Sequence, residues 1–210
     1  MAEEKRKSIT ANTPRTPRSA AAARSETRSG TSKYFILTFI IGYILCDRSA
    51  GYTATSAGWT HFTYMFLHAN ITHLTLNALA FLLLNRTLKH RFPVWAITLG
   101  PYLAAAAASF IITYPRPTVG ASGMTYTLTG MYLWNIIRSS LPPLFRRRRA
   151  GCETSKRVGG KKSGYWGIIT TAVALTTSAF RQNSATALHI SCLLFGIAIA
   201  AGLTYKQNKK

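Results

Sequence analysis

Residues 182–205 read QNSATALHISCLLFGIAIAAGLTY, 24 positions with no charged side chain and a single imidazole, His189, close to the start. At 1.5 Å per residue such a run crosses roughly 30 Å of hydrocarbon as one helix. Working outward, five more uncharged runs appear, at 34–46, 49–85, 92–115, 117–137 and 163–180. The last three are also long enough for a span. The run 49–85 holds a span and a polar loop, whereas 34–46 is short and needs snorkelling flanks or a locally thinned bilayer. A soluble domain of this size would scatter Lys and Glu through every helix. The pattern predicts an all-α polytopic membrane protein of six spans: 34–46, 62–84, 94–114, 120–137, about 165–180, and 185–205.

The charges orient it. The chain has 26 Lys and Arg against 5 Asp and Glu, a net charge of +21. Eight of the basic residues lie in 1–33, three in 85–91, nine in 138–162 and three in 206–210; Arg48, Arg116 and Arg181 stand one to each remaining connection. With six spans these sets fall on opposite sides, and the positive-inside rule places the rich side, with both termini, in the cytoplasm. The basic face then meets anionic lipid head groups. Arg146 to Arg149 could serve a nucleic acid, but a lipid-facing loop fits better and no nucleic-acid partner is expected. The organisation predicted is a disordered basic tail over 1–33, a membrane domain over 34–205 containing the basic cytoplasmic loop 138–164, and a basic C-terminal tail over 206–210. The location expected is multi-pass in a bacterial cytoplasmic membrane, with a mitochondrial or other eukaryotic membrane as the alternative.

Absences narrow the chemistry. The five acids, Glu3, Glu4, Glu26, Asp47 and Glu153, all lie outside the long uncharged runs. That removes paired-carboxylate catalysis and a Ser-His-Asp triad within the membrane. No zinc motif, phosphate loop or dinucleotide fingerprint occurs, and Cys46, Cys152 and Cys192 have no metal spacing. Local signals place some boundaries. Asn70 is a candidate N-cap for the regular part of the second span. Pro93 starts the third, Gly100-Pro101 should interrupt it, and Ala104–Ala108 suggests close helix contact. Tyr114-Pro115-Arg116-Pro117 reads as a short outer turn.

Polar side chains inside spans are costly unless paired, so they are functional candidates. His73 and Asn77, four apart, share a helix face, with His68 just before them. Gly120-Ala121-Ser122-Gly123 opens the fourth span, and His189 stands among apolar neighbours in the sixth. Counted from Asn70, Arg116 and Arg181, these groups lie at a common level, roughly 5–12 Å below the outer face. A serine needs an adjacent base to attack. His189 can supply it, and with no carboxylate at hand the pair would be a dyad, its imidazole oriented by the ring of Tyr126, one turn below Ser122. Gly120 and Gly123 leave room for a substrate backbone. Ser122 starts a helix, so its amide, with His73 and Asn77, could receive an oxyanion. Each piece also has a structural reading. Gly-Ala-Ser-Gly packs helices, His73 and Asn77 can bond between helices, His189 can relay protons or bind metal, and Tyr126 can fill a core.

Taken together the residues resemble the rhomboid family of intramembrane serine proteases. Trp59, Phe62, Thr63, His68, His73 and Asn77 resemble its loop 1 and second-helix signature. Gly120-Ala121-Ser122-Gly123 with Tyr126 is similar to its nucleophile motif, and Ala187, His189, Gly196 and Gly202 to its sixth-helix pattern. The likeness runs over about 34–205. It implies a rhomboid-like six-helix bundle with Ser122 as nucleophile and His189 as general base. It also implies an oxyanion hole of His73, Asn77 and the Ser122 amide, Tyr126 packed on His189, and His68 at a water-filled outer mouth. The activity implied is cleavage of transmembrane segments of single-span proteins through an acyl-enzyme, with no metal or cofactor. Of three departures, Thr60 in place of an arginine implies a looser loop 1, Cys192 in place of a glycine implies a looser approach of spans 4 and 6, and loop 1 and span 1 are short. The rival functions are an inactive relative that binds transmembrane clients, and a small His-lined transporter or channel.

Overall fold

The computed structural model describes residues 33–140 and 185–209. The fifth span at 165–180, nearly all of the tail 1–33, most of the loop 138–164 and Lys210 lie outside the described residues. The described chain is helical, with one isolated backbone bridge between Tyr52 and Thr118. Helix α1 spans Lys33–Leu45. A short loop helix α2, Thr60–Thr63, runs into a 3-10 turn at Tyr64–Phe66. There follow α3 at Ile71–Leu88, α4 at Val94–Ile111, α5 at Ser122–Ser140 and α6 at Thr186–Lys209.

Local chemistry explains the ends. Asn70 is extended (φ −163°, ψ 171°) and its side-chain oxygen accepts the His73 N–H at 2.8 Å, so α3 starts where its cap stands. The second span is not one rod. Thr60–Phe66 and Ile71–Leu88 meet at a 94° bend, with extended Leu67 between them. Helix α4 starts after Pro93 as predicted but runs unbroken through Pro101, contrary to the interruption expected there. Proline removes one backbone donor, and a helix whose surroundings are packed tolerates that loss; Pro101, Ile97 and Ala104–Ala106 are all buried.

Helix α5 is the axis of the bundle, touching α3, α4 and α6. Gly123 to Tyr132 are buried without a break. Its Thr125 and Thr127 hydroxyls donate to the Ser122 and Gly123 carbonyls at 2.8 and 3.0 Å, which satisfies them without water. By contrast α4 and α6 present Leu99, Leu103, Phe110, Ile190 and Leu194 outward. Helices α4 and α6 are each long and apolar enough to cross a membrane, and the bent pair makes a third if counted as one span. Helix α5 lacks that outer greasiness because protein, not lipid, surrounds it.

The tightest seam joins α5 to α6. A Cβ on Gly130 would strike the Leu193 carbonyl, and one on Gly196 the Thr127 carbonyl. Only glycine lets the two backbones approach so closely. At the far end of the seam Trp134 Nε1 donates to Thr204 Oγ1 at 3.1 Å. Cys192, expected to loosen this approach, is fully buried in it, with its sulfur 3.3 Å from where a Gly123 Cβ would stand. On the other flank α1 leans on the bend through Phe39, whose ring lies 5.7 Å from Phe81 and 6.0 Å from Phe66.

The loop after α1 is built rather than loose. Asp47 caps the 3-10 turn Arg48–Ala50 by accepting the Ser49 N–H at 3.1 Å, and that bond holds its carboxyl below the usual carboxylate range. Arg48 donates to the Ala69 carbonyl at 2.7 Å. Thr60, expected to weaken loop 1, donates to Ala57 O at 2.7 Å and pairs with Ser56 Oγ at 2.7 Å.

Candidate active site

The seam sets Ser122, the first residue of α5, beside His189, one turn into α6. Ser122 Oγ and His189 Nε2 stand 2.9 Å apart. The Tyr126 ring, one turn along α5, stacks on the imidazole with centroids 4.3 Å apart and planes 8° off parallel. That stacking fixes the tilt of the imidazole ring. Proton transfer from Ser122 to Nε2 requires the neutral ring to carry its hydrogen on Nδ1.

The start of α5 is shaped by Gly120 at φ +118°, in the region open to glycine. A Cβ there would lie 2.5 Å from His73 Cε1 and 2.9 Å from Nε2, so the missing side chain is what admits His73 to this corner. The Gly120 N–H donates to the Tyr64 carbonyl at 2.9 Å, and the Ala121 N–H to His68 Nε2 at 3.4 Å. Those bonds hold the backbone that leads into Ser122. The amides that follow belong to the first helical turn, which has no acceptor within its own helix. Asn77 is buried one turn beyond His73, and its side-chain nitrogen has no hydrogen-bond partner among the described residues.

The structure therefore gathers Ser122, His189, Tyr126, Gly120 and His73 at one corner, with Asn77 on the adjoining turn of α3. His68, expected as a supporting residue, braces the backbone that leads into Ser122. It is 2 % exposed, its ring 5.4 Å from that of His73 and 5.6 Å from that of Phe39, and it supports the start of α5. Gly123 is a packing glycine, since a Cβ there would meet Ala105 Cβ at 3.0 Å and Tyr64 Oη at 3.2 Å. A Cβ on Gly202 would meet nothing within 4 Å among the described residues.

Sequence reasoning missed three residues. Tyr64 is fully buried, donates its hydroxyl to Ala105 O at 3.1 Å and lends its carbonyl to Gly120. Tyr114 accepts the Leu188 N–H at 3.3 Å. His61 bonds Ser109 Oγ through Nδ1 at 3.0 Å and stacks on Phe110 at 4.2 Å. No local pattern announces these, because the partners are 41, 74 and 48 residues away. Among the described residues no group of three His, Cys, Asp or Glu could hold a metal ion.

No curated protein matches this chain. The family model of the Rhomboid domain matches residues 55–206, more than two thirds of the chain, from within loop 1 into the last turn of α6, and the chain belongs to the rhomboid family.

Proposed function

We propose that this rhomboid-family membrane protein is an intramembrane serine endopeptidase that cleaves transmembrane segments of single-span proteins. The observation that carries the reading is the 2.9 Å approach of Ser122 Oγ to His189 Nε2 under the stacked Tyr126 ring. In this mechanism Ser122 Oγ attacks the scissile carbonyl carbon while His189 Nε2 takes its proton. The tetrahedral oxyanion is received by the Ser122 amide with the His73 and Asn77 side chains. An unpartnered buried donor such as the Asn77 amide is costly, and a substrate oxygen would satisfy it. His189 then returns the proton to the leaving amine, which frees the C-terminal product and leaves an ester on Ser122. Water, deprotonated by His189, hydrolyses that ester and restores the serine. One oxyanion donor contributes about 3 kcal/mol in such sites.

A helix shields its own peptide bonds, so good substrates carry Gly, Pro or small residues near the cleaved bond. The proposed architecture is six spans with both termini cytoplasmic and the basic loops against anionic head groups, which puts the dyad in the outer half of the bilayer. The test is cleavage of a tagged single-span substrate in liposomes by the wild type, Ser122→Ala and His189→Ala, together with fluorophosphonate labelling of Ser122. Cleavage and labelling that both variants lose support the reading. Undiminished cleavage by either variant overturns it.

A further inference from the structure

Helix α6 has at its N-cap position a residue whose side chain cannot accept a hydrogen bond. Its first intrahelical bond runs from the His189 N–H to the Ala185 carbonyl at 3.0 Å, which makes Ala185 the N-cap residue and Leu188 the third residue of the helix. At that third position a Ser, Thr, Asn or Asp N-cap would accept the N–H with its side chain, and alanine cannot. The acceptor comes instead from another part of the chain. Tyr114, just beyond α4, brings its phenolic oxygen 3.3 Å from the Leu188 N–H.

Tyr114 is itself anchored. Its carbonyl accepts the Ala54 N–H at 3.1 Å. Tyr52, two residues earlier, donates its hydroxyl to Ile112 O at 3.2 Å, and its backbone exchanges hydrogen bonds with Thr118 at 3.2 and 2.9 Å. The connection from α4 to α5 is thus stapled near both its ends to loop 1. Its far end delivers Gly120 and Ser122; near its start, Tyr114 grips the residue before His189.

We propose that Tyr114 is a positioning residue for His189, its hydroxyl serving in trans as the missing N-cap of α6 and so setting the imidazole against Ser122. This rests on the proteolytic reading above. A base displaced by a fraction of an ångström from its nucleophile loses rate while substrate binding is unaffected.

The experiment compares wild type, Tyr114→Phe, Ala185→Ser and the double variant, as full chains in liposomes. kcat and KM for a single-span substrate are normalised to the fraction labelled to completion by a fluorophosphonate, and hydrogen exchange is followed at the amides of 186–189. Tyr114→Phe keeps the ring and its packing and removes the acceptor. Its kcat should fall about tenfold at unchanged KM, with faster exchange at Leu188. Ala185→Ser installs a cap in cis; alone it should leave kcat unchanged, and in the double variant it should restore kcat to within about twofold of wild type. A Tyr114→Phe kcat equal to wild type overturns the proposal, as does a loss that Ala185→Ser fails to restore. A merely structural role would lower the melting temperature with kcat per labelled molecule intact, which also overturns it. A wild type that is neither labelled nor active overturns the proteolytic reading and the positioning role with it; exchange at Leu188 would then show only whether the cap exists.

Discussion

Two serine–histidine pairs stand among the described residues, and by distance they are nearly alike. Ser122 and His189 stand 2.9 Å apart with Tyr126 stacked on the imidazole; Ser109 and His61 stand 3.0 Å apart with Phe110 stacked at 4.2 Å. The surroundings separate them. Ser109 lies in the last turns of α4, fully buried, and its hydroxyl hydrogen goes to Ala106 O at 2.7 Å. A serine has one hydrogen to give, so His61 must donate from Nδ1 to Ser109 and cannot act as its base. Ser122 opens a helix beside a glycine of positive φ, is half-buried, and has the first-turn amides, which find no acceptor within their own helix, and the Asn77 donor nearby. A short Ser–His distance is therefore common to a clamp and to the pair proposed as the catalytic dyad. The direction of the proton and the company of oxyanion donors decide which one it is.

The sharpest way to break this comparison is to remove the two serines in turn. Ser122→Ala and His189→Ala should each lower cleavage by on the order of 10⁴-fold or more, measured as kcat/KM on a single-span substrate. A weaker loss for Ser122→Ala would mean that another group is the nucleophile. The next largest effect belongs to the seam that holds the dyad. Gly196→Leu drives a side chain into the Thr127 carbonyl and must push α6 off α5. Activity should fall more than roughly a hundredfold and the melting temperature should drop with it. Unchanged activity would show that the dyad does not depend on the glycine contact. Asn77→Ala should then cost about a hundredfold in kcat with little change in KM or melting, because the amide is called on only when an oxyanion forms. A loss confined to stability would return Asn77 to the role of a helix-packing group.

These features were unequally legible in the sequence. Ser122, His189 and Tyr126 could be placed because each sits in a short local pattern, and helix periodicity carries Tyr126 to the right level. Asn70 and Pro93 mark helix starts through side-chain and backbone chemistry that acts within three residues. The 94° bend was not legible, since His68 and Ala69 carry no turn signal and the bend is made by tertiary bonds such as Arg48 to Ala69 O. Helix α5 was found by its lack of charge rather than by its apolarity, which is the right signal for a helix wrapped in protein. Cys192 shows the opposite failure. Read against a family glycine it implied loosening, yet the gap it fills beside Gly123 exists only once α5 and α6 have met.

The smallest effect is the most informative about the comparison. Ser109→Ala removes the acceptor of a buried imidazole N–H and should destabilise the protein by about 1–2 kcal/mol, seen as a lower melting temperature, with kcat/KM within about twofold of wild type. The double variant Ser109→Ala with His61→Phe removes both polar partners and keeps an aromatic ring against Phe110, so much of the lost stability should return. Under the proposed mechanism no such double replacement returns activity at Ser122 and His189, because nothing would then be left to attack or to accept a proton. Ser109→Ala lowering cleavage as far as Ser122→Ala does would erase the distinction between clamp and dyad. Silence in activity with a measurable loss in melting would place the α2–α4 pair in the scaffold, holding loop 1 to α4 within one bond of the segment that steadies Tyr52.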